Sequence, residues 1–247
     1  MKYITKYKST NYNSRKNSKI KLIIIHYTAL KNTMEAISHL CSKEKKVSSH
    51  YLISQTGIVY YLVNDKYRAW HAGKAFWQDI VDINSVSIGI ELDYNPDGKN
   101  NKFSLKMISS LKKLIFKLQK KYKISKKNIL AHSDIAPFRK KDPGKYFPWK
   151  ELYSSNLIIN IEQTKNRDIK IIENWFNNHN IISKKKIIIL ALSLIGYDTR
   201  QVYKKPQLYT KLLNAYKIRY IDYKNISKNR QVHNIIMKHL TNFLLTK

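Results

Sequence analysis

Two short apolar segments, one with a histidine and the other with a glutamate near its end, place the strongest constraint on how this chain can fold. The first, residues 22–28, contains His26, and the second, residues 86–92, contains Glu91. Both segments are short, continuous and rich in β-branched residues, which predicts buried strands. A third apolar segment leads directly into His132. Because strands are rigid, polar side chains carried on them can be held in a fixed mutual geometry, as a reactive site requires.

The rest of the first 153 residues contains further predicted helices and strands. In chain order they are a helix from an N-cap at Thr33 to about Ser42, a hairpin of residues 50–54 and 58–63 around Gly57, an amphipathic helix from a cap at Ser104 to about Tyr122, a strand at 128–132, and a short helix at 149–153 after Pro148. Strands and helices mixed in this order predict an α/β domain with a mixed β-sheet flanked by helices.

The last third of the chain shows helical periodicity alone. Helices are expected at about 168–179, 184–195, 206–217 and 231–245, and Gly196 is expected to end the second of them. We therefore divide the chain into a polar basic N-terminal segment at 1–19, an α/β domain at 20–153, a connector at 154–167, and a small all-α C-terminal domain at 168–247.

The net charge of +31 would ordinarily suggest a nucleic acid or another anionic partner. The charge is not concentrated, however: residues 1–153 carry 30 Lys and Arg against 11 Asp and Glu, and residues 154–247 carry 17 against 5. A nucleic-acid-binding protein should instead show a local basic stripe with interleaved aromatic residues. The even distribution therefore argues against nucleic acid. The chain is also rich in Lys, Asn, Ile and Tyr, the residues that an AT-rich genome tends to encode, so compositional drift explains most of the charge, and a polyanionic partner stays an open alternative.

No pattern in the sequence predicts a signal peptide or a membrane-spanning helix. No apolar stretch approaches the 18 residues or more that a membrane-spanning helix needs. The first 21 residues are polar and basic, and the apolar run that follows them is too short for the core of a signal peptide. Cys41 is the single cysteine, so no internal disulfide can form. We expect a cytoplasmic protein, with a periplasmic or outer-membrane location as the alternative.

A histidine, a lysine and an aspartate follow the last predicted strand at close spacing, since Lys140 comes eight residues and Asp142 ten residues after His132. With His26, two imidazoles and one carboxylate make up the three-ligand set of a catalytic zinc site, which leaves a fourth position for water. Glu91 and Lys140 are groups that amide hydrolysis would need nearby. Each residue taken alone has a plainer interpretation, as a structural histidine, a turn-forming aspartate or a salt-bridged glutamate.

Read together, these motifs resemble the zinc-dependent N-acetylmuramoyl-L-alanine amidases of the type-2 amidase family, and most of all the branch with a C-terminal peptidoglycan-binding-like domain. The matching motifs, in unbroken order over about residues 20–153, are Ile25-His26-Tyr27-Thr28, Val47-Ser-Ser-His50-Tyr-Leu-Ile, Arg68-Ala-Trp70-His71-Ala-Gly73, Ser87-Ile-Gly-Ile-Glu91, Ala131-His132-Ser-Asp-Ile-Ala-Pro, Arg139-Lys140-Lys-Asp142-Pro-Gly and Phe147-Pro-Trp149. The resemblance implies the amidase and peptidoglycan-recognition-like fold.

The resemblance also implies a reaction, the hydrolysis of the amide between N-acetylmuramic acid and L-alanine. His26, His132 and Asp142 would hold one zinc ion. Glu91 would take the proton of the attacking water and pass it to the leaving amine, and Lys140 would help to stabilise the oxyanion. Some family members carry a catalytic tyrosine before the residue equivalent to His50, where this chain has Ser49.

Contacts to the substrate are implied for five further residues. They are Trp70, His71, Gly73, His50 and Arg139, of which Trp70 could equally be a core residue and His50 a structural one. In the C-terminal region, residues 190–197 and 213–220 resemble the two main helices of the family's accessory module, but its glycine-rich loops are missing. That region is therefore expected either to bind cell wall or only to support the catalytic domain.

Two functions thus remain to be compared. The first is an active zinc amidase acting on peptidoglycan or on muropeptide fragments, including the 1,6-anhydro form. The second is a non-catalytic peptidoglycan-recognition module. Relatives that only bind commonly lack a zinc ligand, whereas this chain keeps all three as well as Glu91 and Lys140. Catalysis by a monomer is therefore the preferred interpretation.

Overall fold

A mixed six-stranded β-sheet organises the protein. The computed structural model describes residues 3–221 and 229–245, and in it the strand order is β1-β5-β4-β7-β3-β8. The strands are β1 (Tyr3–Ile4), β3 (Leu22–Tyr27), β4 (Tyr51–Ile53), β5 (Val59–Tyr61), β7 (Ser87–Leu92) and β8 (Ile129–Ala131). A separate two-stranded sheet joins β2 (Tyr12–Ser14) to β6 (Tyr67–Ala69). The predicted α/β class with a mixed sheet is confirmed.

The central strands β7, β3 and β8 are parallel, and their register places three polar residues at one edge. His26 on β3 lies opposite Glu91 on β7. Ile25 lies opposite Ala131 on β8, so His132 follows one residue later at the same end. Carboxyl ends of parallel strands meet at one edge of a sheet, which is where sites in such folds are built.

Strand β3 is buried on both faces because its side chains alternate between two cores. Leu22 and Ile24 pack into one core, and Ile23 and Ile25 pack into the other. Side chains on the two faces of a strand have period two, so His26 shares a face with Leu22 and Ile24. This explains why the segment reads as a continuous apolar run rather than as an alternating one.

Helices cover both faces of the sheet. Those of the first part are α1 (Thr33–Cys41), α2 (Ile83–Val86), α3 (Leu105–Tyr122), α4 (His132–Ile135) and α5 (Trp149–Ser154). Ser104 caps α3 as predicted, because its side chain accepts a hydrogen bond from the Met107 amide. Helix α1 is capped by Asn32 rather than by the predicted Thr33, since the Asn32 side chain accepts from the Glu35 amide.

The second part of the chain is helical, as expected. Its helices are α6 (Asn166–Asn178), α7 (Lys184–Ile195), α8 (Arg200–Lys204), α9 (Tyr209–Tyr220) and α10 (Asn229–Leu245). The predicted third helix starts as a 3₁₀ turn at Pro206–Leu208 and runs on to Tyr220, and α8 was not predicted. Residues 222–228, 246 and 247 of the predicted C-terminal domain lie outside the described residues. No helix in the described ranges is both long and apolar enough to cross a membrane.

The helical part shares a core with the sheet. Leu22, Ile24 and Trp77 belong to the same buried cluster as residues of α6, α7, α9 and α10. Buried polar contacts reinforce the junction, because Tyr197 donates a hydrogen bond of 2.6 Å to Asp134. Arg219 pairs with the same carboxylate and donates to the Ile129 carbonyl at 2.6 Å.

Replacing Arg219 with methionine should lower the free energy of unfolding by about 3–5 kcal/mol, because it leaves the buried Asp134 carboxylate without its cation. Arg219 is 2% exposed in its side chain and Asp134 is fully buried. Urea unfolding followed by circular dichroism measures the change. The matched control is Arg167→Met, since Arg167 pairs with Asp168 but is 78% exposed; it should change stability by less than about 0.5 kcal/mol. Equal effects of the two substitutions would contradict the prediction.

Candidate metal centre

Three side chains converge on one point at the carboxyl edge of the sheet. The Nδ1 atoms of His26 and His132 are 2.9 Å apart, and the Asp142 Oδ2 atom lies 3.1 Å from the first and 2.9 Å from the second. All three residues are buried, at 1%, 3% and 7% exposure. Their ligand atoms lie within 4.8 Å of one another, so the group could hold a metal ion.

Local structure explains how residues so far apart in sequence meet. His26 is carried by β3, and His132 is the first residue of α4, directly after β8. Asp142 lies in the loop after α4, which is tied back because the Ser133 amide donates to the Asp142 carbonyl at 3.0 Å. Two ligands are thus set by strand register and the third by a short loop.

The two imidazoles are prepared to act as neutral ligands. The outer nitrogen of each ring is engaged: His26 Nε2 lies 3.0 Å from His71 Nδ1, and His132 Nε2 lies 3.1 Å from the Ala72 carbonyl oxygen. Burial, together with the neighbouring His132, lowers the pKa of His26 to about 4. A neutral ring with an occupied Nε2 leaves its Nδ1 lone pair for a metal ion.

Glu91 supplies a fourth polar group on the same face. Its Oε2 atom is buried and has no hydrogen-bond partner among the described residues. Burial, with a smaller contribution from the negative charge of Asp142, raises the pKa of Glu91 to about 8, whereas Lys140 opposes the shift. An unsatisfied buried carboxylate beside two nitrogen donors and one oxygen donor fits a catalytic zinc site that retains a water molecule.

Lys140 lies close enough to influence the centre through its charge. Its positive charge lowers the pKa of both His26 and Glu91. The residue is half-buried, and its backbone amide donates to the Ala136 carbonyl at 2.9 Å, which fixes the turn after α4. All five residues predicted for the metal and the chemistry are therefore brought to one region.

The five residues predicted to contact substrate are placed differently from one another. His71 is buried against His26. His50 is fully buried, where its Nδ1 accepts from the Gly89 amide at 3.0 Å and its Nε2 lies 2.7 Å from Arg15. Both histidines therefore act inside the protein, and we do not retain them as substrate contacts.

The other three predicted contacts lie nearer the surface. Trp70 is half-buried and donates from Nε1 to Asn13 at 2.6 Å. Gly73 is exposed and has a positive φ of 60°, a conformation that favours glycine. The Arg139 guanidinium donates to the backbone carbonyls of Ala72 and Lys74, at 2.8 and 2.9 Å. The Arg139 guanidinium is therefore already hydrogen-bonded within the protein.

Sequence reasoning missed two polar residues behind the centre. Arg15 lies in the segment predicted only as polar and basic, yet it is buried and donates to the carbonyls of Asp65, Asn84, Ser85 and Ser87. Asn84 accepts hydrogen bonds from the amides of His71 and Ala72. No local pattern marks Arg15, but Asn84 lies three residues before the strand motif that begins at Ser87 and ends at Glu91, and could have been noticed there.

Comparison with known sequences connects this arrangement to one family. The family profile described as N-acetylmuramoyl-L-alanine amidase (Amidase_2) matches residues 16–145. The N-acetylmuramoyl-L-alanine amidase AmiD of Escherichia coli K12 is 35% identical over 149 residues, which are 54% of this chain and 52% of AmiD. The 1,6-anhydro-N-acetylmuramyl-L-alanine amidase AmpD of Haemophilus influenzae is 41% identical over 114 residues, 45% of this chain and 60% of AmpD. The chain thus spans half to three fifths of the length of these curated relatives.

Solved structures extend the likeness to the helical part. The crystal structure of AmpDh3 from Pseudomonas aeruginosa superposes with a TM-score of 0.73 at 24% identity, covering 97% of this chain and 96% of that one. AmpDh3 in complex with anhydromuramic pentapeptide gives a TM-score of 0.69 at 25% identity, covering 93% and 92%. The fold of both the sheet and the helical part is therefore one already known.

Replacing Glu91 with glutamine should stabilise the metal-free protein at neutral and alkaline pH. The pKa of Glu91 is raised from 4.5 to about 8 by folding, so the native state binds this proton more tightly than the unfolded chain does. Stability is then greatest below about pH 4.5 and falls as the pH rises towards 8. Glutamine removes this loss because it carries no charge to bury.

Thermal unfolding of metal-free wild type and Glu91→Gln at about pH 5 and pH 8 measures the effect. The melting temperature of the variant should exceed that of wild type by more at the higher pH. The control Glu44→Gln changes an exposed carboxylate and should show no such pH dependence. A constant difference between Glu91→Gln and wild type at both pH values would contradict the interpretation.

Proposed function

The chain belongs to the Amidase_2 family of N-acetylmuramoyl-L-alanine amidases, and on this basis we propose that it hydrolyses the amide bond between N-acetylmuramic acid and L-alanine in peptidoglycan or its muropeptide fragments. The observation that carries the proposal is the group of His26, His132 and Asp142 together with a buried Glu91 carboxylate oxygen that has no hydrogen-bond partner among residues 3–221 and 229–245. Hydrolysis of an amide by metal-activated water uses this combination of three metal ligands with one free base.

One zinc ion is the proposed cofactor. The donor set of two nitrogens and one carboxylate oxygen is that of catalytic zinc sites. When bound by these residues, zinc would supply the Lewis acidity that activates water near neutral pH and polarises the scissile carbonyl. The protein contributes the fixed directions of the three donors, because two of them are set by strand register.

Glu91 is proposed as the general base and then the general acid. Glu91 on β7 pairs with His26 on β3, so it lies at the same end of the sheet as the ligands. Burial raises the pKa of Glu91 in the metal-free protein, which makes this carboxylate a stronger proton acceptor than an exposed one. It can take a proton from the attacking water and return it to the departing L-alanine amine.

Lys140 is proposed to stabilise the negative charge that develops on the carbonyl oxygen. An ammonium group close to that oxygen would interact more strongly with the charge of the transition state than with the neutral carbonyl of the substrate. Its charge already influences Glu91 and His26 across the site. Trp70 and Gly73, which reach the surface, are proposed to line the substrate groove.

Fragments of peptidoglycan are the preferred substrate class. AmpDh3 has been solved with an anhydromuramic pentapeptide, and AmpD of Haemophilus influenzae is a 1,6-anhydro-N-acetylmuramyl-L-alanine amidase. These relatives support anhydro-muropeptides as the first substrates to test on this chain. A monomeric state, a cytoplasmic location and the lack of a nucleic-acid partner stay predictions from the sequence.

Incubation of the purified protein with a defined anhydro-muropeptide should release a stem peptide that begins with a free L-alanine amine. Mass spectrometry detects the product. Removal of metal with a chelator should abolish release, and added zinc should restore it, because the water is activated only at the occupied site. A zinc-loaded protein that releases nothing from anhydro or intact substrates would instead support the alternative of a non-catalytic recognition module.

Replacing Lys140 with methionine should lower kcat by about 10²-fold or more, because it removes one stabilising charge from the oxyanion. Zinc content, measured by atomic emission, should stay at the wild-type level, since Lys140 is not one of the three ligands. The control is Lys141→Met, which changes the exposed neighbouring lysine and should leave kcat within about twofold. A similar loss in both variants would argue against a specific role for Lys140.

A further inference from the structure

One dipeptide, His71–Ala72, contacts both histidine ligands from outside the metal centre. His71 Nδ1 lies 3.0 Å from His26 Nε2, and the Ala72 carbonyl oxygen lies 3.1 Å from His132 Nε2. A carbonyl oxygen can only accept a hydrogen bond, so His132 Nε2 must carry the hydrogen. That leaves the His132 Nδ1 lone pair directed at the centre.

The same direction follows for His26 from the partners of His71. His71 Nε2 lies 3.1 Å from the Ser87 hydroxyl, and this hydroxyl donates its hydrogen to the Ile83 carbonyl at 2.6 Å. The Ser87 oxygen is therefore left to accept from His71 Nε2, so that the free lone pair of His71 is on Nδ1. His71 Nδ1 accepts from His26 Nε2, and the chain of hydrogen bonds runs in one direction from the ligand to a backbone carbonyl.

The dipeptide is itself held by one side chain on the short helix α2. The Asn84 carboxamide oxygen accepts from the His71 amide at 3.1 Å and from the Ala72 amide at 2.8 Å. Asn84 is 6% exposed, and its own backbone carbonyl accepts from Arg15 at 3.1 Å. Two consecutive amides that share one acceptor fix the orientation of the peptide between them.

The packing around His71 leaves its ring no alternative position. A Cβ atom at Gly89 would lie 2.5 Å from Cγ of His71, so the ring lies directly against the backbone of strand β7. On the other side, Arg139 donates to the Ala72 carbonyl at 2.8 Å and restrains the acceptor of His132. The dipeptide is thus held by hydrogen bonds at both ends and by close packing in the middle.

We propose that Asn84 and Ser87 are positioning residues for the metal centre, because through His71 and Ala72 they set which nitrogen of each histidine ligand faces the metal ion. Neither residue touches the ligands themselves. The inference rests on the proposed function only in that the centre binds zinc. Outer contacts to metal-ligating histidines typically change metal affinity by about 10–100-fold.

The test is zinc affinity, measured on the full-length protein by competition with a chromophoric chelator. Asn84→Ala removes the shared acceptor and should weaken zinc binding by about 10–100-fold. Asn84→Asp keeps an oxygen at the same place and should stay within about threefold of wild type. Ser87→Ala removes the hydroxyl that accepts from His71 and should weaken zinc binding by about tenfold. This variant replaces Asn84→Ala as the test if Asn84→Ala does not fold.

The control is Asn32→Ala, which removes an asparagine side-chain acceptor at the N-cap of α1; this side chain accepts from the Glu35 amide rather than from His71 or Ala72. It should lower the melting temperature, because a helix cap is lost, while leaving zinc affinity unchanged. The visible spectrum of the cobalt-substituted protein gives a second readout, since the ligand-field bands report ligand geometry. They should shift in Asn84→Ala and Ser87→Ala but not in Asn84→Asp or Asn32→Ala.

Zinc affinity within threefold of wild type for both Asn84→Ala and Ser87→Ala, with unchanged cobalt spectra, would overturn the inference. Zinc affinity and cobalt spectra are measured without substrate. If the wild-type protein binds zinc but does not hydrolyse muropeptides, the proposed function is wrong, whereas the role of Asn84 and Ser87 can still be tested. A wild-type protein that binds no zinc would overturn both.

Discussion

The parallel pairing of strands β7, β3 and β8 is the constraint on which the rest of the structure depends. It places His26 directly opposite Glu91 and brings His132 to the end of the neighbouring strand. A shift of one residue in this register would turn every side chain of the shifted strand to the other face, and these residues would no longer meet. The apolar residues of these strands, buried in cores on both faces, hold the register and thereby hold the site.

Buried polar groups behind the site help to hold its residues in one arrangement. Arg15, Asn84 and the dipeptide His71–Ala72 lie behind the ligands: Arg15 donates to backbone carbonyls, and the Asn84 side chain accepts from the backbone amides of His71 and Ala72. Burying such groups without partners would be costly, so a satisfied network of this kind specifies one arrangement of the chain. Glu91 is the exception at the centre, because its Oε2 has no partner among the described residues, which is compatible with the general-base role proposed for it.

The helical part of the chain is structurally joined to the site. Asp134, two residues after His132, accepts a hydrogen bond from Tyr197 in the loop after α7 and pairs with Arg219 of α9. Helices of this part also share a hydrophobic core with strand β3. Of the two roles expected for this region, support of the catalytic part is favoured by these contacts. Binding of cell wall stays a prediction, since the likeness to AmpDh3 at 24% identity concerns the fold.

The sequence by itself determined the class of the sheet, most of the helix positions and the group of His26, Glu91, His132, Lys140 and Asp142, because apolar runs and short motifs are local signals. It did not determine that His50 and His71 face the interior, that Arg15 is buried, or that Asn32 caps the first helix. Only the tertiary structure decided these points. Which segment packs behind a strand, and which hydrogen-bond partner a polar side chain finds there, depend on residues distant in sequence, and local periodicity does not report such contacts.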